Sequence, residues 1–204
     1  MTEPTVFVVD DDPAVLDSLQ RLLTSQGHRV ECFSSGEAYL EGVTAERAGC
    51  LVVDLRMPGV TGLQLLQQLA SAESSRPTVV ISGHAEIASV VQAMKLGAVD
   101  VLEKPFQPSH LLKAVQAALV VDAGSRGRID TRRRARERIN QLSADERAVL
   151  GGIAHGLTNR QIAEQLDVSL RTVQFRRSSL MEALKVSSRS ELIELVLQAD
   201  WSPD

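Results

Sequence analysis

Aromatic residues are scarce in this 204-residue sequence: one Trp, one Tyr and four Phe, 3% of the chain. A core built on stacked rings is excluded, so Leu, Val, Ile and Ala must carry the burial. Cysteine is just as rare. Cys32 and Cys50 form no C-x-x-C or zinc-type spacing, which excludes a disulfide framework and a thiolate metal cluster. Both are expected as reduced core thiols. No apolar run approaches the ~18 residues of a membrane span. The opening MTEPTVFVVDDD has no basic region before its apolar run and meets acid directly after it, unlike a secretory signal. The expectation is a cytoplasmic protein with no membrane partner.

The net charge of −4 conceals two unlike halves. Residues 1–122 carry 15 Asp+Glu against 8 Lys+Arg, whereas residues 123–204 carry 11 against 14. An acidic half followed by a mildly basic one suggests two modules with different partners.

In the first half, strand-like runs alternate with helical periods. The strands are TVFVVD (5–10), RVECF (29–33), CLVVDL (50–55), TVVIS (78–82) and VDVLE (99–103). Continuous apolar runs bounded by polar residues are the pattern of strands buried on both faces. Val15, Leu16, Leu19, Leu22 and Leu23 share one helix face, which Gly27 ends. Alternating β and α predicts an α/β, flavodoxin-like, doubly wound (βα)5 domain over residues 1–121. Residues 122–140 then hold two glycines and a run of arginines, seven between 126 and 138. This reads as an Arg-rich linker, flexible first and then helical, its arginines either a solvated face or a phosphate-contacting arm. Residues 141–204 read as a small all-α domain. Its helix starts are expected at Ser143 (with Glu146 completing a capping box), Thr158, Ser169, and Ser187 or Ser188.

Ligands of such a sheet sit at the carboxyl ends of its strands. In the order 2-1-3-4-5 strands 1 and 3 are neighbours, so Asp10, Asp11 and Asp54 should converge. Three close carboxylates call for a cation. Oxygen-only ligands in a small open site suit Mg²⁺. Ser82 ends strand 4 and offers a hydroxyl; Lys104 follows strand 5 and offers an ammonium. A central carboxylate, a divalent cation, a hydroxyl and a lysine suit phosphoryl transfer onto the carboxylate. Asp12, directly before Pro13, is placed instead to cap the first helix.

VVDDD, VVDLRMPGVTGLQLL, VVISGHA and LEKPF together resemble the receiver domain of two-component response regulators. The resemblance implies that Asp54 is the phosphoacceptor and that Asp10, Asp11, Asp54 and the backbone carbonyl of Arg56 hold Mg²⁺ or Mn²⁺. It implies catalytic roles for Ser82 and Lys104, with Lys104 before a cis-proline, Pro105. The phosphoryl donor would be a sensor histidine kinase, and the only catalysis would be of the protein's own phosphorylation and dephosphorylation. Ser82, Pro105 and position 101 belong to the switch. Receivers often carry an aromatic at that last position; here it is Val101, stiff and ringless. His84, two residues after Ser82, is a candidate for tuning phosphate lifetime.

In GLTNRQIAEQLDVSLRTVQFRRSSL, Ile162, Ala163 and Leu166 face inward on one helix, and Val173, Leu180 and Leu184 on the next. Arg171, Gln174, Phe175 and Ser178 fall at i, i+3, i+4 and i+7 on the opposite face. A cation, an amide, a ring and a hydroxyl suit base edges. Thr172 sits beside them, Arg176 and Arg177 flank the stripe toward phosphates, and Asn159 and Arg160 start the first helix near the backbone. Residues 141–198 resemble the LuxR-type helix-turn-helix of FixJ- and NarL-type response regulators, with Arg176 where histidine is frequent and Ser179 where asparagine is.

Together these resemblances imply a transcriptional response regulator activated by phosphorylation of Asp54. It would form a homodimer through helix 4 and strand 5, bind double-stranded promoter DNA and engage RNA polymerase. Three other readings stay open. A receiver that works without phosphorylation is kept in play by Val101. An aspartyl-phosphate phosphatase would need a substrate pocket or cap insertion for which residues 1–121 leave no room. The helical segment could also be a protein-binding bundle.

Overall fold

Runs of Val, Ile and Leu with polar ends form strands covered on both faces. The structure, a computed structural model, describes residues 3–71, 76–83 and 86–202. Strands β1 (Thr5–Val9), β2 (Arg29–Phe33), β3 (Gly49–Asp54), β4 (Thr78–Ser82) and β5 (Ala98–Glu103) make one parallel sheet in the order β2-β1-β3-β4-β5. This is the flavodoxin-like order expected from the sequence. Every residue of β1, β3 and β4 is buried. Asp10 lies just past β1, and its side chain accepts a hydrogen bond from the Asp12 N–H.

Side chains alternate across a strand, so each strand feeds two cores. Val6, Val8, Val52, Val79 and Ile81 pack on one face with Leu19 and Leu23 of α1 (Pro13–Ser25) and Leu111 and Val115 of α5 (Pro108–Asn140). Phe7, Val9, Leu51, Val53 and Val80 pack on the other. There they meet Tyr39 of α2 (Gly36–Gly42), Leu65 and Leu66 of α3 (Gly62–Ser71) and Ala93 of α4 (Ile87–Lys95). Asp12 caps α1 by accepting from Ala14 N at 2.8 Å, with Pro13 at the first helical position. Cys50 is core filler: burial, reinforced by the charge of Asp122, pushes its thiol up to about 12, so it stays protonated and unreactive.

The chain divides into two compact units, Met1–Ser125 and Arg126–Asp204. Residues 122–140, expected as a linker that begins flexible, are helical throughout, as part of α5. In the first unit the buried Asp122 accepts from Gly49 N at 2.9 Å, tying this helix to the start of β3.

The second unit contains the end of α5 with α6 (Ala144–Ala154), α7 (Asn159–Gln165), α8 (Leu170–Ala183) and α9 (Arg189–Ala199). Its core joins Ala135 and Ile139 of α5 to Leu150, Ile153, Ile162, Val173, Leu180, Leu184 and Leu192. Ser143, Thr158, Ser169 and Ser188 are the N-caps, as their spacing predicts, and Ser143–Glu146 and Thr158–Gln161 close full capping boxes. Several arginines of the α5 run hold helix ends. Arg138 donates to Leu184 O at the end of α8, Arg136 Nε donates to Ala199 O at 2.8 Å at the end of α9, and Arg132 pairs with Asp200. Cations are favoured at helix C-termini, where unpaired carbonyls and the helix dipole are negative. Arg133 and Arg134 pair with Asp130 on their own helix.

Glu146 does more than close its capping box. It also accepts from Ser179 Oγ of α8 at 2.6 Å, and that bond, followed by those from Ser143, holds its carboxyl below the usual range. A lowered carboxylate pKa stabilises the fold above the unfolded-state value, and the contribution is lost as pH falls through the folded-state value. Glu146→Ala is therefore expected to destabilise the helical unit by about 1 kcal/mol near neutral pH. The difference from the parent should shrink in acid, as read from denaturant midpoints at both pH values.

Candidate functional site

The sheet register places Val9 beside Val53, so the next residues, Asp10 and Asp54, stand side by side at its carboxyl edge. Both are almost wholly buried, at 1% and 6% exposure. Lys104, just past β5, reaches between them. Its Nζ donates to Asp10 Oδ2 and to Asp54 Oδ1, each at 2.8 Å. The two carboxylate oxygens thus lie no farther apart than twice that distance. The remaining oxygens accept backbone N–H groups two residues on: Asp12 N to Asp10 Oδ1 at 2.9 Å and Arg56 N to Asp54 Oδ2 at 2.6 Å. Each acid is fixed in a tight turn with one oxygen facing the lysine.

Lys104 is itself fixed through its main chain, Lys104 N donating to Ser82 O at 2.8 Å, and the Lys104–Pro105 peptide is cis. Burial alone would lower the ammonium's pKa, but the hydrogen bonds and charges of Asp10 and Asp54 reverse this and raise it. The lysine therefore stays charged across the physiological range. Gly62, at the start of α3, allows the loop after Asp54 to fold close. A Cβ there would come within 2.2 Å of the Asp54 carbonyl oxygen.

The structure brings Asp10 and Asp54 together as a buried pair. Asp11 is exposed, and among the described residues no three His, Cys, Asp or Glu side chains come together as a metal site. Lys104 supplies cationic charge between the two buried acids. The donors still suit a hard divalent cation: two buried carboxylates face each other, with a third acid next in sequence to one of them. Ser82 is fully buried at the end of β4. Val101 is half-buried and packs against the α2–α4 side of the sheet. His84 lies outside the described residues. One contact had no signal in the sequence: Arg56 Nη2 donates to Glu86 Oε1 at 2.8 Å across thirty positions.

In the helical unit, α8 divides as its periodicity predicts. Val173 and Leu180 are buried, whereas Arg171, Gln174, Phe175 and Ser178 are exposed, Phe175 at 74%. Thr172 is half-buried, its hydroxyl 2.7 Å from Ser169 Oγ. Arg176 and Arg177, expected to extend toward phosphates, are held inside the unit. Arg176 pairs with Asp145 of α6, and Arg177 Nη1 donates to Asn159 Oδ1 of α7 at 2.9 Å. Arg160 is exposed, 3.6 Å from Glu164.

A family model described as the response regulator receiver domain matches residues 6–116, more than half of the chain. The chain belongs to the response-regulator family. A second model, bacterial regulatory proteins of the luxR family, matches residues 140–196. The transcriptional regulatory protein FixJ of Rhizobium meliloti is 38% identical over 203 residues, covering 100% of both chains. FixJ of Azorhizobium caulinodans is 42% identical over 199 residues, covering 97% of this chain and 94% of its own. Among solved structures, the response regulator StyR superposes with a TM-score of 0.85 at 39% identity, covering 97% of this chain and 100% of its own. Full-length FixJ from B. japonicum gives 0.58 at 36%, covering 98% of each.

The protein is thus a two-component response regulator with a receiver domain and a LuxR-type DNA-binding domain. The acidic pair and Lys104 lie in the receiver, and the exposed face of α8 lies in the DNA-binding domain. No helix among the described residues is long and apolar enough to cross a membrane.

Proposed function

We propose that Asp54 accepts a phosphoryl group from a sensor histidine kinase and that this event controls promoter binding. The observation that carries this reading is the buried Asp10–Lys104–Asp54 clasp. Two buried carboxylates share one ammonium, and one of them sits at the strand end where a substrate can reach it. An Asp54 oxygen attacks phosphorus as the phosphorus–nitrogen bond of the phosphohistidine breaks, and the imidazole keeps the bonding pair. Lys104 stays paired with the growing negative charge, and the Arg56 N–H holds the other Asp54 oxygen in position. Asp10 and Asp54, with Asp11 and the Arg56 carbonyl, would hold Mg²⁺ or Mn²⁺, which when bound neutralises charge on the transferred oxygens. Ser82 offers its hydroxyl to the arriving phosphoryl oxygens. Hydrolysis of the acyl phosphate on the same residues resets the protein, with no other substrate turned over.

Phosphorylation then favours a homodimer through α4 and β5. Ile87, Val91 and Met94 support this reading, forming an exposed apolar stripe at i, i+4 and i+7 along α4. On DNA, Arg171, Gln174, Phe175 and Ser178 read base edges. Thr172, Asn159, Arg160, Arg176 and Arg177 contact the backbone, the last two after leaving Asp145 and Asn159. The dimer places two such faces on adjacent half-sites, in the cytoplasm, where RNA polymerase is the downstream partner.

Val101 favours a second reading, in which the DNA-binding domain works regardless of phosphorylation. One comparison separates the two: oligomeric state and promoter affinity with and without acetyl phosphate and Mg²⁺. The proposed function expects a shift to dimer and tighter promoter binding. Identical affinity in both conditions would leave the second reading standing.

A further inference from the structure

Arg56 touches two parts of the receiver at once. Its backbone N–H donates to Asp54 Oδ2 at 2.6 Å, and its guanidinium donates to Glu86 Oε1 at 2.8 Å. Glu86 is the N-cap of α4, yet its side chain makes no capping bond to that helix. Its carboxylate is engaged by Arg56. The next residue, Ile87, is an isoleucine 83% exposed at the head of the α4 apolar stripe.

We propose that the Arg56–Glu86 ion pair is a charge-operated latch that couples Asp54 to the first turn of α4. This rests on the phosphoacceptor reading of Asp54 above. With acetyl phosphate as donor, an Asp54 oxygen bonds to phosphorus as the phosphorus–oxygen bond to the acetyl group breaks. The acetyl phosphate dianion and the carboxylate monoanion become an acyl phosphate dianion and acetate. The charge beside Arg56 doubles, and three phosphoryl oxygens offer the geometry guanidinium binds best. Glu86 offers one carboxylate in an ion pair whose side chains are 60% and 69% exposed, a weak bond that water and salt already compete for. Arg56 transfers to the phosphoryl group, and Glu86 is released, which frees the first turn of α4 to move. The coupling needs no ring at position 101.

The test is hydrogen exchange over residues 86–92, with the acyl phosphate lifetime followed by intact mass. The full-length parent and Glu86→Gln are compared with and without acetyl phosphate and Mg²⁺. In the parent, phosphorylation should change the exchange of this segment. The unphosphorylated Glu86→Gln protein should already show the changed pattern, and phosphorylation should add little. Its acyl phosphate should live longer, by up to about fivefold, because Arg56 no longer has a competing partner. High salt on the unphosphorylated parent should mimic the substitution, a check that does not depend on the variant's folding. A phosphorylated parent with unchanged exchange at α4, or a variant matching the parent in both exchange and lifetime, overturns the latch and leaves the phosphoacceptor intact. A parent that gains no phosphoryl group removes both.

Discussion

Asp54→Asn protein incubated with acetyl phosphate and Mg²⁺ gains no mass, whereas the parent gains one phosphoryl group. Asparagine has nearly the same shape, and its amide oxygen can accept from Lys104 Nζ or from Arg56 N. The fold should therefore persist, and a thermal melt close to the parent's would show it. The anionic oxygen is gone, and an amide is too weak a nucleophile to form the bond. Lys104→Met is the companion test. It keeps chain length but removes the cation shared by Asp10 and Asp54. Loss of one charge-stabilising group at a reacting centre lowers rates by about 10²–10³. It should also destabilise the receiver by about 1–3 kcal/mol. That is less than the ~3–5 of a fully buried pair broken on one side, because the ammonium keeps some contact with water. A parent that gains no phosphoryl group, or an Asp54→Asn variant that does, would refute the acceptor assignment.

Arg171→Ala and Gln174→Ala are each expected to weaken binding to the specific promoter by about 1–3 kcal/mol, while binding to random DNA falls far less. Both side chains are exposed on the face of α8 opposite its buried residues, which leaves them available to base edges. Arg176 and Arg177 should behave differently. Each already has a partner in the domain, so alanine there removes an internal tie as well as any phosphate contact. Their loss should lower affinity for both DNAs alike and reduce the stability of the isolated fold. Equal losses on specific and random DNA for Arg171→Ala and Gln174→Ala would reassign that face to backbone contact.

Much of this was legible in the sequence because it is local. Most strands were readable because Val, Ile and Leu runs ended in Asp, Ser or Glu, and the caps of α1, α6, α7, α8 and α9 because a Ser, Thr or Asp stood before each periodic stretch. Asp10, Asp54, Ser82 and Lys104 could be brought together on paper because strand order alone aligns strand ends. What escaped was set by side chains meeting across distance. No pattern marks Arg56 for Glu86, or Arg176 for Asp145. The seven arginines looked like a solvated face or a phosphate arm. Two of them, Arg136 and Arg138, also reach backbone carbonyls at Ala199 and Leu184, which no sequence displays.

The burial of Ala135 and Ile139, with Arg132, Arg136 and Arg138 closing the ends of α8 and α9, bears on how such proteins are cut and recombined. A chimera that joins this DNA-reading domain to a foreign sensor input at residue 141 would leave behind part of the hydrophobic centre and the donors that finish two helices. Grafting has to begin near Arg126, so the portable piece is longer than its recognition motif.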